Sequence, residues 1–181
     1  PNSGKSTIAK HLKNTYNYEL LDFKELIEKV KKSKTDPENP DAEPEINFND
    51  LVIFLKDYIN KIPLNKKVVI DNIYIPGGAD GFLIDSFDKA NEIVKIFGNF
   101  RNLYEIDVAE NILMNKYNTK EGINDEITDE QKANFEETLD VPKKLLEVIR
   151  QAAANIIKVK CEDDPEKSVK LFDSQYNVNI I

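Results

Sequence analysis

The residues with the clearest chemical meaning open the sequence, which begins Pro1-Asn2-Ser3-Gly4-Lys5-Ser6-Thr7. This run matches the second half of G-x-x-x-x-G-K-[ST], a loop whose backbone N–H groups surround the phosphates of a nucleotide. Gly4 allows the backbone to turn so that several N–H groups point at an anion. Lys5 would bring a positive charge to the β- and γ-phosphates, and the Ser6 hydroxyl would meet a Mg²⁺ ion. The residues predicted to contact the phosphates are Asn2, Ser3, Gly4, Lys5, Ser6 and Thr7.

A helix is needed directly after this loop to hold it in place. Residues 6–16 carry apolar side chains at helical spacing, with Ile8 and Leu12 on one side. The N-terminus of that helix would add its partial positive charge to the anion site. The first glycine of the motif would lie two positions before Pro1, and a buried strand normally precedes such a loop. We therefore expect the first strand of the domain to lie outside this sequence.

Composition limits the classes of partner. A chain of 181 residues that is 40% hydrophobic and 32% charged is typical of one soluble globular domain, predicted here over residues 1–181. A net charge of -8 argues against nucleic acid as a partner. The single cysteine, Cys161, excludes an internal disulfide and fits a reducing, cytoplasmic compartment. Since no apolar run is long enough to span a bilayer, we expect no membrane segment.

Short apolar runs alternate with helical patterns along the chain, which predicts an α/β fold with a parallel sheet and helices on both faces. The predicted strands are Tyr18–Leu21, Lys67–Asp71, Asn102–Val108 and Ile156–Cys161. The predicted helices cover 6–16, 23–32, from an Asn47 or Asn49 cap to Pro63, from an Asp85 or Ser86 cap to Phe97, 109–117, 128–153 and 165–175. Proline, glycine and acidic residues predict loops at 33–47, 73–81 and 118–126.

In the order of its parts the chain resembles the nucleoside monophosphate kinases, and most closely the short-lid adenylate kinases. Pro1–Thr7 is similar to their G-x-P-G-S-G-K-G-T loop, with serine and asparagine in place of two glycines. Leu51–Asp71 resembles the helix and strand that end in their D-G-[FY]-P-R. Tyr104–Tyr117 resembles the strand and helix before their lid, and Thr128–Cys161 the long helix and last strand after it.

The resemblance implies a P-loop NTPase-type sheet with ATP on the loop and an acceptor nucleotide under a helical flap at 22–62. It implies a short lid at 118–126 that closes over both nucleotides while the γ-phosphoryl group is transferred. Lys5 would be the catalytic cation. Mg²⁺ would be held by Ser6 and, through water, by Asp71.

The chain departs from that family in its cations. Its only arginines are Arg101 and Arg150, and both positions indicate surface residues. Phosphoryl transfer depends on fixed positive charge, and the planar fork of arginine suits phosphate oxygens. If Asp71 is the equivalent of the D-G-[FY]-P-R aspartate, Ile75 stands where an arginine is expected. An alternative alignment uses Asp85–Lys89 and keeps one cation, but abandons the strand that ends at Asp71.

Three functions follow from this pattern. We favour a nucleotide-binding module that has lost the acceptor chemistry and has a structural or regulatory role, with protein partners in a larger assembly such as a ciliary one. The second is an active kinase in which lysines replace arginines. The third is a scaffold whose loop holds no nucleotide. The lysines that would have to converge in the active kinase are Lys24, Lys116, Lys120 and Lys132.

Three further residues have chemistry of their own. His11, the one histidine, is predicted to be satisfied or solvent-facing, because no partner carboxylate is in register with it. Cys161 ends an apolar strand and is predicted to be buried and inert. Asp107 also ends a strand, and either a helix cap or a catalytic role fits it.

Overall fold

The structure is a computed structural model that describes residues 4–42, 44–73, 84, 86–98, 100–122 and 128–179, with the backbone alone described at 100, 138–142, 144, 145 and 177–179. The chain divides into two compact units. The terminal unit is Pro1–His11 with Arg101–Ile181, and the central unit is Leu12–Phe100. The boundary between them falls within the first helix, α1 (Lys5–Tyr16). A single domain over 1–181 stays a prediction.

The central unit is an α/β arrangement built on two short parallel strands. Its elements are β1 (Glu19–Asp22), α2 (Phe23–Lys34), α3 (Phe48–Lys61), β2 (Val68–Asp71) and α4 (Phe87–Phe97). β1 pairs with β2 in a register that places Glu19 opposite Val68 and Asp22 opposite Asp71. The apolar faces of the helices supply the core, in which the most deeply buried large side chains are Phe23, Val30, Leu51, Leu55 and Ile93.

Polar side chains fix where the helices of the central unit begin. The Asp22 carboxylate accepts the Lys24 N–H at 2.8 Å and caps α2. Asn47, the first of the two predicted candidates, caps α3 in a capping box with Asp50. Ser86 caps α4, which ends at Gly98. These local signals explain why each helix begins within a residue or two of its predicted start.

The terminal unit contains the second pair of strands. Its elements after α1 are β3 (Phe100–Asp107), α5 (Glu110–Glu121), α6 (Asp129–Ala152), β4 (Ala153–Lys160) and α7 (Pro165–Asn179). At one end the Asn155 side chain donates to the Arg101 carbonyl at 3.2 Å, and at the other the Cys161 N–H donates to the Asp107 carbonyl at 2.9 Å. Since both strands advance together between these two contacts, β3 and β4 run parallel.

One face of β4 is packed and the other is exposed. On the packed face Val159 is fully buried, and Tyr104 contacts Phe172 of α7 with ring centroids 5.2 Å apart. On the other face of β4 the exposed side chains are Ala154, Ile156, Lys158 and Lys160. The sequence pattern predicts helices on both faces of the sheet, but the described residues cover only one face of β4. Because most of these side chains are polar or small, the uncovered face is stable in water.

The described strands form two pairs, β1 with β2 and β3 with β4, and not the single sheet that the sequence predicts. The α/β class with parallel pairing is confirmed. α5 runs to Glu121 and ends at the left-handed Gly122, so the predicted lid at 118–126 begins with a helical turn. Residues 123–127 and most of the predicted loop 73–81 lie outside the described residues. None of the helices described is both long and apolar enough to cross a membrane.

The capping box of α3 makes stability depend on pH. Asp50 accepts from Lys34 Nζ at 2.5 Å and from the Asn47 N–H at 3.0 Å, and these bonds hold its pKa below the ordinary value of 3.8. Because the folded pKa is lowered, the stabilisation is present above 3.8 and is lost as the pH falls through the folded pKa. We expect Asp50→Asn to lower the free energy of unfolding by about 0.5–1 kcal/mol at neutral pH and by less at about pH 3, measured by urea titration. Asp57→Asn, which breaks an exposed pair with Lys61, is the control and should cost only a few tenths of a kcal/mol.

Candidate functional site

The candidate site begins at the Gly4 turn, where α1 starts. Gly4 has a φ of 85°, in the left-handed region that favours glycine, and its carbonyl accepts the N–H groups of Thr7 and Ile8 at 3.1 and 3.2 Å. The N–H groups of Lys5 and Ser6 precede Thr7, the first residue whose N–H donates to the Gly4 carbonyl, so they have no acceptor within the helix and an external ligand can bind them. No acidic residue lies in this first turn. Of the predicted phosphate contacts, Asn2 and Ser3 lie outside the described residues.

The Gly4 turn lies beside the ends of two strands. A Cβ atom at Gly4 would lie 3.9 Å from the Sγ atom of Cys161, the residue that follows β4. Cys161 in turn donates its N–H to Asp107, the last residue of β3. The N-terminus of α1 is therefore at the carboxyl edge of this parallel pair. In open α/β sheets that edge is where ligands bind.

A buried serine holds the segment beside the turn. The Ser168 side chain on α7 is 3% exposed, and its hydroxyl accepts the Glu162 N–H at 2.9 Å. The same hydroxyl lies 3.2 Å from the carbonyl oxygens of Glu162 and Asp164, to which it can donate. Burial raises the pKa of the Cys161 thiol, while a hydrogen bond from Ser168 and the charge of Lys116 lower it to a smaller extent. The thiol is therefore neutral at physiological pH, as expected for an inert cysteine.

Three carboxylates follow Cys161, and each has a partner. Glu162 lies 3.8 Å from the ammonium of Lys167, and Asp163 lies 3.4 Å from that of Lys116. Asp164 caps α7, since its carboxylate accepts the Glu166 N–H at 2.9 Å. Because these negative charges are engaged, they oppose an anion at the Gly4 turn less than the sequence alone suggests.

Of the four lysines that an active kinase would need, Lys116 pairs with this segment, with its ammonium 3.4 Å from Asp163. It lies on α5, its side chain is about one-third exposed, and it contributes to the electrostatics of the Cys161 thiol. Lys120 and Lys132 are exposed, and Lys24 belongs to the central unit. The sequence does not distinguish among these four lysines, because the contact between Lys116 of α5 and Asp163 joins residues that are far apart in sequence.

Both arginines are held away from the Gly4 turn. Arg150 binds Glu105 through two bonds, Nε to Oε2 at 3.1 Å and Nη2 to Oε1 at 2.5 Å. Glu105 points to the opposite face of β3 from Tyr104, because successive strand residues alternate. Arg101 is exposed and lies six residues before Asp107, which places its backbone about 20 Å from the strand end. The prediction that both are surface residues is confirmed.

Asp71 ends β2 in the central unit. Its side chain is 6% exposed and accepts the N–H of Asn72 at 2.8 Å, while the Asn72 amide donates to Asp22 at 2.9 Å. A Mg²⁺ ion shared between Asp71 and Ser6 stays a prediction, since the two residues belong to different units. Among the described residues no three His, Cys, Asp or Glu side chains form a metal cluster. Mg²⁺ bound with phosphates needs only one or two protein ligands, so the half-buried Ser6 hydroxyl is compatible with it.

The prediction that His11 is satisfied is confirmed, but the reason given for it, the lack of a partner carboxylate, is wrong. Its Nε2 lies 2.6 Å from the Asp173 carboxylate on α7, so a partner carboxylate does exist. The ring also meets Phe172 edge-on, with centroids 6.2 Å apart. The partner is 162 residues away in sequence, so helical spacing on α1 gave no sign of it. The contact ties α1 to α7 and gives His11 a structural role.

The chain matches no protein-family model, and no curated protein is significantly similar to it. The phosphate-loop motif and the geometry of the Gly4 turn are therefore the features that indicate a function.

The Gly4 turn can be tested by a single substitution. An alanine Cβ would meet Cys161 at an ordinary van der Waals distance, so space is available, but the left-handed φ would be strained. We expect Gly4→Ala to lower the free energy of unfolding by about 1–2 kcal/mol in a urea titration. Gly4→Asn should cost less, because asparagine tolerates this region. Equal losses for the two variants would show that the strain argument is wrong.

Proposed function

We propose that the chain binds ATP with its phosphates on the Gly4 turn and the first turn of α1. The observation that carries this proposal is the left-handed Gly4 beside Cys161 at the carboxyl edge of β3 and β4, followed at once by Lys5, Ser6 and Thr7. A P-loop NTPase-type fold, as in the adenylate kinases that the sequence resembles, is part of the proposal.

Each part of the turn has a physical reason to favour polyphosphate. The N–H groups of the first turn of the 12-residue α1, which have no acceptor within the helix, and the helix dipole favour negative charge at its start. Lys5 is exposed and adds a mobile positive charge beside them. Mg²⁺ bound with the phosphates would take the Ser6 hydroxyl as a ligand and offset the charge of the phosphates.

We further propose that the bound nucleotide is not turned over and has a structural or regulatory role, with protein partners in a larger assembly. Transfer of a γ-phosphoryl group needs cations fixed around the equatorial oxygens, and one positioned arginine contributes about 10³–10⁵ in rate. Arg150 is held by Glu105, and Arg101 lies at the far end of β3. A site that has the phosphate-binding turn but lacks fixed arginines is suited to binding ATP and not to transferring its γ-phosphoryl group.

Isothermal titration with ATP, with and without Mg²⁺, tests the binding. We expect saturable binding that Lys5→Ala weakens by about 10- to 100-fold, since the lysine supplies a charge-assisted bond to phosphate. Lys10→Ala is the matched control, because Lys10 is an exposed lysine on the same helix, and it should leave the affinity unchanged. If the wild-type chain takes up no ATP, the scaffold function replaces this one.

Lys116 favours one alternative, an active nucleoside monophosphate kinase. Its ammonium pairs with Asp163, two residues after Cys161, so its side chain reaches the segment that borders the Gly4 turn. A lysine provides a point charge where an arginine would bind bidentately, so any rate would be reduced.

An assay with ATP, Mg²⁺ and each nucleoside monophosphate separates the two functions. We expect no product above the uncatalysed background, because the fixed cations needed for transfer are too few. The active-kinase alternative requires turnover that Lys116→Ala lowers by about 100-fold or more. Lys170→Ala, which removes an exposed lysine from α7, is the matched control and should leave any turnover intact.

A further inference from the structure

We propose that Cys161, braced by Ser168, is the positioning residue of the Gly4 turn, and that its volume sets the affinity of the turn for polyphosphate. The inference rests on the proposed nucleotide site. The residues that carry it belong to the terminal unit, and neither Cys161 nor Ser168 is part of the phosphate-loop motif.

The side chain of Cys161 lies beside Gly4. Gly4 has no side chain, and the Sγ atom of Cys161 lies 3.9 Å from the place where its Cβ would be. Cys161 cannot easily retreat, because its N–H is bonded to the last residue of β3 at 2.9 Å. The space between them holds about one methyl group, so a side chain at position 161 that reaches well beyond Sγ would press on the Gly4 backbone.

Ser168 fixes the backbone that follows Cys161. Its hydroxyl accepts the Glu162 N–H at 2.9 Å and lies 3.2 Å from the Asp164 carbonyl oxygen, to which it can donate. The helix that carries Ser168 is anchored by Phe172, which is fully buried. A chain of contacts thus leads from the core of the terminal unit through Ser168 and Cys161 to the turn.

A chemical role for the thiol is disfavoured by the same facts. Cys161 is 6% exposed, and burial raises its pKa, so little thiolate is present to act as a nucleophile or a metal ligand. A positioning role for Cys161 needs no thiolate, because it depends only on the volume that the side chain occupies beside the Gly4 turn. The N–H groups at the start of α1 must point at phosphate oxygens within hydrogen-bonding distance, and displacements of about 1 Å can cost up to about 100-fold.

Substitutions that change the volume at 161 provide the first test, with the ATP dissociation constant as the readout. We expect Cys161→Leu to weaken ATP binding by about tenfold or more, and the nearly isosteric Cys161→Ser to stay within about twofold of wild type. Ser168→Ala should weaken binding by about fivefold, because the bracing hydrogen bonds are lost. Ser174→Ala, a serine on the exposed side of the same helix, should change nothing.

A control for general destabilisation is needed, because Cys161 is buried. Val148→Ala removes a buried methyl pair from α6 in the same unit, and should lower the urea midpoint without changing the ATP dissociation constant. If Val148→Ala weakens ATP binding as much as Cys161→Leu does, the effect is loss of fold and the positioning role is wrong.

The single thiol also provides a second readout. We expect saturating ATP to slow the labelling of Cys161 by a maleimide about tenfold in the wild type, and not in Lys5→Ala, because an ordered Gly4 turn covers the sulfur. Wild-type binding with unchanged affinity in Cys161→Leu overturns the positioning role and leaves the proposed function standing. Absence of ATP binding in the wild type overturns the proposed function, and the positioning role with it.

Discussion

The terminal unit depends on the burial of one aromatic ring, that of Phe172. The ring is fully buried, stacks on Tyr176 at 5.6 Å, and meets Tyr104 of β3 and His11 of α1 edge-on. It therefore joins α7, the strand pair and the first helix in one apolar cluster. Burying a side chain of this size stabilises the fold by about 1.5–3 kcal/mol, before the edge-to-face contacts are counted. The His11–Asp173 bond adds a polar tie between the same two helices.

The position of the Gly4 turn follows from this cluster. Phe172 holds α7 on the sheet, and α7 presents Ser168 to the segment after β4, where Cys161 contacts the turn. Ion pairs determine the charge around the turn. The carboxylates after β4 are engaged by Lys167, Lys116 and the start of α7, and one arginine is engaged by Glu105. The chain thus keeps its first helix turn free of negative charge while its guanidinium groups lie elsewhere. Such an arrangement favours binding of an anion over reaction of it.

Much of the architecture could be predicted from the sequence, because its signals are local. Asp22, Asn47, Ser86 and Thr128 cap helices through bonds to residues two or three positions away, and these patterns are visible in one dimension. The contacts that define the site are long-range. Gly4 meets Cys161 and His11 meets Asp173 across most of the chain, so no periodicity reports them. The extra turn of α5 was missed for another reason, since polar residues without an apolar stripe resemble a loop although they are compatible with a helix.

The uncovered face of β4 has a consequence for association. By the register of the pair, Lys158 lies beside Glu105 and Lys160 beside Asp107, so opposite charges alternate across the two strands. A second protein surface that packed on this face would have to strip water from ammonium groups and find matching carboxylates. The lysines of β4 therefore disfavour nonspecific packing on its exposed face.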